Sequence, residues 1–228
     1  MHFRSWVVEA VHSALNDPAL LLLSPATASL HALAPVGTLR AEQPQPRGTG
    51  DAVRCALLAL PAGVSEVLIA YGDTPLLEPS SISALIATRR AARTPIALAA
   101  FHADDPTGYG RVELNNEGRA VRIVEERDAT EEGRANDLVN AGLYAVERAW
   151  LEVALSALSP STESGEIYLT DLVARAAEEG KPAPVLLGSG VDLEGVNDRR
   201  QFADASAALR ERINVADRKS TRLNSSHT

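Results

Sequence analysis

The sequence holds one cysteine, Cys55, in 228 residues. That excludes an intrachain disulfide and any cysteine-based metal site. Such usage fits a reducing compartment, and a cytoplasmic location is the expectation. Long apolar runs are also missing. The Leu20–Leu23 stretch is far too short to span a bilayer, and the first residues lack the layout of a signal peptide. Positive charge is in deficit, with a formal net charge of -8 at pH 7. A broad surface for nucleic acid or anionic membrane is thereby excluded. A phosphorylated ligand would have to be met locally, by backbone N–H groups, a few arginines or lysines, or a metal. The five histidines stand singly, with no pair at ligand spacing. What is present is ordinary for a globular chain: 45% hydrophobic and 23% charged residues, enough for one large domain with a sizeable core.

The stretch around which the chain is organised is Val67-Leu68-Ile69-Ala70-Tyr71-Gly72-Asp73-Thr74-Pro75-Leu76. A continuous apolar run with a polar stop reads as a buried strand of a parallel sheet. In open α/β sheets ligands bind beyond the carboxyl ends of such strands, so Asp73 stands where a ligand arrives, with Gly72 leaving room beside it. A hard carboxylate there suits Mg²⁺, which keeps most of its shell for water and phosphate. The competing reading is a strand-ending turn whose aspartate bonds its own backbone.

In chain order, Trp6–Leu15 has helical spacing, Ala19–Leu23 and Thr38–Glu42 read as short strands, and Pro25–Ala34 as a small helix or loop. A Pro/Gly loop, Gln43–Gly50, opens onto a helix over Asp51–Leu60. Pro79–Arg93 is helical, with three arginines near its end where the helix dipole favours them. Ile96–Phe101 is a strand. Val112–Leu114 and Val121–Val124 flank Asn115-Asn116-Glu117-Gly118, a hairpin signal. A polar loop over 125–134 leads to a strand at Leu138–Val146. Helices follow at Ala149–Leu158 and Leu169–Glu179, separated by a Ser/Pro/Gly loop over 159–165. A last strand lies at Ala183–Leu187 and a closing helix at Arg199–Ile213. Strands alternating with helices predict an α/β fold with a mostly parallel sheet covered on both faces. One domain over 1–216 is expected. Residues 217–228 have no apolar period and look like translated cloning sequence, so they are expected to be disordered.

Seven motifs occur in one order: Gly48-Thr49-Gly50; Tyr71-Gly72-Asp73-Thr74-Pro75-Leu76; Asp105-Pro106-Thr107-Gly108-Tyr109-Gly110-Arg111; Ile123-Val124-Glu125 with Asp128-Ala129-Thr130; Val139-Asn140-Ala141-Gly142; Gly165-Glu166-Ile167-Tyr168-Leu169-Thr170-Asp171; and Glu194-Gly195-Val196-Asn197-Asp198-Arg199. The series resembles the uridylyltransferase half of the bacterial N-acetylglucosamine-1-phosphate uridylyltransferase/glucosamine-1-phosphate acetyltransferase family, over roughly residues 38 to 215.

The resemblance implies a Rossmann-like nucleotide-diphospho-sugar transferase fold. It also implies transfer of a uridylyl group from UTP to N-acetylglucosamine-1-phosphate, giving UDP-N-acetylglucosamine and pyrophosphate for peptidoglycan synthesis. By the same resemblance Asp73 and Asn197 hold Mg²⁺. Gln43 reads the uracil edge, its amide offering donor and acceptor together. Gly48 and Thr49 lie against the base, with Tyr71 and Gly72 beside the nucleotide. Gly110, Glu125 and Asn140 bind the sugar, and Tyr168 and Thr170 add contacts to the sugar or its phosphate. Read on their residues alone, Thr49 and Asn197 are equally good helix caps, Glu125 an acidic strand end and Asn140 a polar bulge.

This chain departs from the family at both ends. Nothing before Trp6 corresponds to the strand, Gly-rich loop and cations with which the family grips a triphosphate. The β-helical acetyltransferase, through which the family forms homotrimers, is not in the sequence either. Losing a central strand would leave an open slot with apolar walls, which makes an unfolded fragment with no function one reading. Two further readings stand beside uridylyl transfer: a non-catalytic remnant that binds UDP-sugar, and a transferase for another base or sugar.

Overall fold

The computed structural model describes residues 3–161 and 164–225, so part of the expected 159–165 loop lies outside the described residues. Helix α1 (Phe3–Leu15) leads into β1 (Leu20–Leu23), a 3-10 helix (Pro25–Leu33) and β2 (Leu39–Glu42). Strands β1 and β2 pair in parallel as a separate two-stranded sheet. Next come α2 (Thr49–Leu57), β3 (Glu66–Ala70), α3 (Pro79–Ala92) and β4 (Ile96–His102). The hairpin is β5 (Arg111–Leu114) and β6 (Ala120–Val124), followed by a single turn, α4 (Glu131–Arg134). Then follow β7 (Leu138–Glu147), α5 (Arg148–Ala157), α6 (Asp171–Glu178), β8 (Val185–Leu187), α7 (Gly190–Leu193) and α8 (Arg199–Ser225).

Local chemistry sets many of these limits. Helix α3 starts with Pro79 at its first position, which suits a residue without an N–H, and ends on Arg93 in the left-handed region at φ 56°. Arg89 and Arg90 both grip Glu66, tying the end of α3 to the start of β3. The turn α4, which lies within the expected polar loop, is capped by Thr130, whose hydroxyl accepts the N–H of Gly133.

The main sheet has the order β6-β5-β7-β4-β8, with β3 also paired to β7. Strands β3, β4, β5 and β8 share one direction, the majority sense expected of this fold. Strand β7 runs against them, so each of its own ladders is antiparallel, and β6 runs antiparallel to β5. The sequence of β7 does not show this. It is buried from Leu138 to Val146, and an unbroken apolar run reports burial on both faces, not direction. One face carries Val67, Ile69 and Tyr71 with β7 residues Tyr144 and Val146, under α2, α5 and α6. On the other, Leu68, Ala70, Leu143 and Ala145 lie beneath α1 and α3. Each fully buried leucine or valine contributes roughly 2 kcal/mol. Among the described residues β1 and β3 each have a ladder partner on one edge alone, and both strands are largely half-buried.

Two expectations are corrected. Helix α7 is additional. Helix α8 runs to Ser225, so residues 217–225 are helical where disorder was expected, and 226–228 lie outside the described residues. No glycine or proline occurs after Gly195 to stop it. Its start is anchored through Ala205 and Leu209, which pack on Leu76, while Arg212 donates to the Leu76 carbonyl.

Candidate functional site

One edge of β7 is shared by two strands, and the site opens where they part. Residues Leu143–Glu147 carry β3, whereas Val139 pairs with Arg111 of β5. Between them Asn140-Ala141-Gly142 bends, with Gly142 at φ 68°, and across β7 the β4 register slips between Leu98 and Ala100. Asn140 N–H donates to the Gly110 carbonyl at 2.9 Å, and Tyr71 N–H to the Gly142 carbonyl at 3.2 Å. The end of β3 and the start of β5 thus separate at one bulge, which gathers Tyr71, Gly110 and Asn140.

Glu125 joins them from the end of β6. A Cβ on Gly110 would stand 2.7 Å from Ile123 Cγ2 and 3.7 Å from Glu125 Oε2, so the absent side chain is what admits the hairpin here. Thr170, 2% exposed, donates to Glu125 Oε1 at 2.7 Å. The expected sugar contact Thr170 is therefore a partner of Glu125. Burial and the neighbouring Glu125 and Asp128 push the Asp171 carboxyl up. The hairpin is held by Arg111, 2% exposed, whose Nη2 lies 2.7 Å from Glu126 Oε2 in an ion pair outside hydrogen-bond angles. Arg111 also donates to the Tyr109 carbonyl.

The Gly-Thr-Gly loop is clasped by the later motif. Gly50 N–H donates to the Ile167 carbonyl, Ile167 N–H to the Arg47 carbonyl, and Leu169 N–H to Thr49 Oγ1 at 3.0 Å. A Cβ on Gly48, which has φ 95°, would meet Ile167 O at 2.5 Å. The space these glycines leave is occupied by the 166–169 backbone. Gln43, 8% exposed, donates through Nε2 to the Gly48 carbonyl and to Asp51 Oδ2, so the donor half of its amide is used within the chain. Tyr168 shares a hydrogen bond with Ser164 and lies under the Arg127 guanidinium, 5.7 Å from the ring centre.

Asp73 and the 195–197 loop are in contact. Val196 N–H donates to the Asp73 carbonyl at 2.8 Å, and a Cβ on Gly195 would lie 3.5 Å from Asp73 Oδ2. Thr74 closes the turn by donating to the Tyr71 carbonyl, so the turn beside Gly72 is closed by threonine. Asp73 and Asn197 are both exposed. The cap of α8 falls to Asp198, which accepts Gln201 N–H, while Gln201 accepts the Asn197 N–H in return. Oxygen donors from a carboxylate and an amide on adjoining loops suit a hard cation. Among the described residues no three His, Cys, Asp or Glu side chains cluster for a metal.

Several working residues were not singled out by sequence. Tyr109 bonds the N–H and carbonyl of Gly195 through one hydroxyl and meets Phe101 edge-on at 5.6 Å. It lies inside the Asp-Pro-Thr-Gly-Tyr-Gly-Arg string, which was the available signal. Burial, then Glu194, pushes its hydroxyl up to about 12. Ile167 lies inside the Gly165–Asp171 string, and Tyr144 carried no signal beyond apolar character. Burial also pushes Tyr71 up to about 12, with Glu125 and Asp73 adding to it.

Residues 15–204 match the family model for nucleotidyl transferases, and the chain belongs to that family. Its relatives are more particular. It is 46% identical over 177 residues to the bifunctional protein GlmU of Sorangium cellulosum, covering 77% of this chain and 37% of that protein. It is 40% identical over 179 residues to the bifunctional protein GlmU of Corynebacterium glutamicum, with 78% and 37% covered. With its Geobacter metallireducens counterpart it shares 36% over 213 residues, 92% of this chain and 45% of that protein. The chain thus spans about two-fifths of the length of these relatives. Among the described residues no helix is long and apolar enough to cross a membrane.

Proposed function

We propose that this chain carries the uridylyl-transfer site for making UDP-N-acetylglucosamine and pyrophosphate from UTP and N-acetylglucosamine-1-phosphate. What supports this reading is the single bulge of β7, which brings Gly110, Glu125 and Asn140 together beside Tyr71. Glu125 and Asn140 offer an acceptor and an amide to sugar hydroxyls and an N-acetyl group. Gln43, with both Nε2 hydrogens committed, offers Oε1 to a uracil N3–H.

Asp73 and Asn197 would hold Mg²⁺, which when bound neutralises phosphate charge. The sugar phosphate is already ionised near neutral pH, so no side chain has to remove a proton from it. The protein's task is to set the phosphate oxygen in line with the α-phosphorus and to exclude alternatives. A cytoplasmic site of synthesis belongs to this reading by the family resemblance, and the homotrimer is expected of the longer parent enzyme. The test is pyrophosphate release from the 228-residue chain with UTP, Mg²⁺ and N-acetylglucosamine-1-phosphate. Turnover that falls at least 100-fold in Asp73→Ala is expected, the size of loss that follows removal of a group that positions charge at the transition state. Binding of UDP-N-acetylglucosamine without turnover would make the chain a binding remnant.

A further inference from the structure

Four side chains run in a line, buried at Asn140 and Tyr144, half-buried at Tyr71 and exposed at Thr49. Asn140 Nδ2 donates to the Tyr144 hydroxyl at 2.7 Å. Tyr71 lies beside the Tyr144 hydroxyl, and Thr49 beside that of Tyr71. Tyr144 is wholly buried and reaches no solvent. The line therefore joins Asn140, on the sugar side, to the Gly-Thr-Gly loop through a residue that touches neither ligand.

Two contacts fix the Asn140 amide. Its Oδ1 accepts the Gly142 N–H at 3.2 Å, and a backbone N–H can only donate, so Nδ2 must face Tyr144. The Tyr144 oxygen accepts there, with no solvent to compete for it. One Nδ2 hydrogen is used in that bond, and the second is matched to a ligand acceptor such as an acyl carbonyl.

We propose that Tyr144 is a positioning residue that fixes the amide of Asn140 as a donor toward a nucleotide-sugar. This rests on the function proposed above. The Tyr144→Phe variant keeps the ring and removes the link. The experiment measures binding of UDP-N-acetylglucosamine and of UMP to the full chain by calorimetry, in the wild type, Tyr144→Phe, Asn140→Ala and the double variant. Expected is about a tenfold loss of UDP-N-acetylglucosamine affinity in Tyr144→Phe, the size of one buried hydrogen bond to an amide. UMP affinity should fall less. In the Asn140→Ala background the same change should lose under twofold, because Tyr144 acts through Asn140. A purely structural tyrosine would lower the melting temperature and give additive losses. Full affinity in Tyr144→Phe, or additivity, overturns the inference while the site reading stands. A wild type that binds neither ligand overturns both. Should Tyr144→Phe not fold, exchange of the wild-type Asn140 side-chain amide hydrogens with solvent must be slowed; exchange at the rate of an unbonded amide overturns the inference equally.

Discussion

Gly142 and Tyr71 exclude any larger partner: a Cβ on Gly142 would stand 2.4 Å from Cδ2 of the Tyr71 ring. The glycine also sits at φ 68°, where other residues are strained. Its place in the bulge is what lets Tyr71 lie across β7 and reach Tyr144. Gly142→Ala is expected to lower stability by about 3 kcal/mol, from the left-handed backbone and the overlap together. Urea denaturation followed by circular dichroism measures this; a loss below 1 kcal/mol would mean the ring moves aside freely.

Gly48→Ala tests the clasp between the two motifs. Its added methyl meets the Ile167 carbonyl, so the 47–50 and 166–169 segments must separate. Hydrogen exchange of the Gly50, Ile167 and Leu169 amides should then rise at least tenfold, while amides of β4 stay protected. Unchanged exchange at those three positions would show that the clasp does not depend on the glycine.

The Arg111–Glu126 pair should be asymmetric. Arg111 is buried and Glu126 has a third of its side chain exposed. Arg111→Ala empties a buried position and collapses contacts within the hairpin, at about 4 kcal/mol, although Glu126 keeps Arg134 as a partner at 3.7 Å. Glu126→Gln keeps the shape with solvent still at hand, at about 1 kcal/mol. Equal losses in chemical denaturation would contradict this.

Three tyrosines should resist ionisation. Burial raises Tyr71 and Tyr109 to about 12 and carries Tyr144 well above the usual value. In the unfolded chain each titrates near ~10. The folded form therefore keeps protons that the unfolded form loses, and stability falls as pH rises from ~10 towards ~12. Absorbance of phenolate at pH 11 should show three of the four tyrosines withheld in the native chain and released by denaturant. Full native absorbance at that pH would refute the burial argument.

Much of the fold was legible because its signals are local. Pro79 and the arginines of α3 mark helix ends, Asn115–Gly118 marks a hairpin turn, and Ile96–Phe101 carries its burial in its composition. Motif order named Gly110, Glu125 and Asn140, which meet at one bulge although one precedes β5, one follows β6 and one lies in β7. Direction and partnership were not. Nothing in Leu138–Val146 states that it runs against its neighbours, and nothing in Tyr144 separates a packing aromatic from a hydroxyl link. The length of α8 escaped for the opposite reason, because a charged segment without glycine or proline satisfies helix propensity as well as a polar tail.

The sequence by itself determined the α/β class, the carboxylate turn at Asp73, the positions that need glycine, and membership in a lineage carried by seven ordered motifs. Those are properties of neighbouring residues and of short backbone geometry. Only the tertiary structure decided that β3 and β5 divide one edge of β7, that the 166–169 backbone fills the space beside Gly48, and that Asp73 abuts the Gly195 loop. Each of these joins segments tens of residues apart. Hydrogen-bond direction and excluded volume act through space, and no local pattern along the chain encodes them.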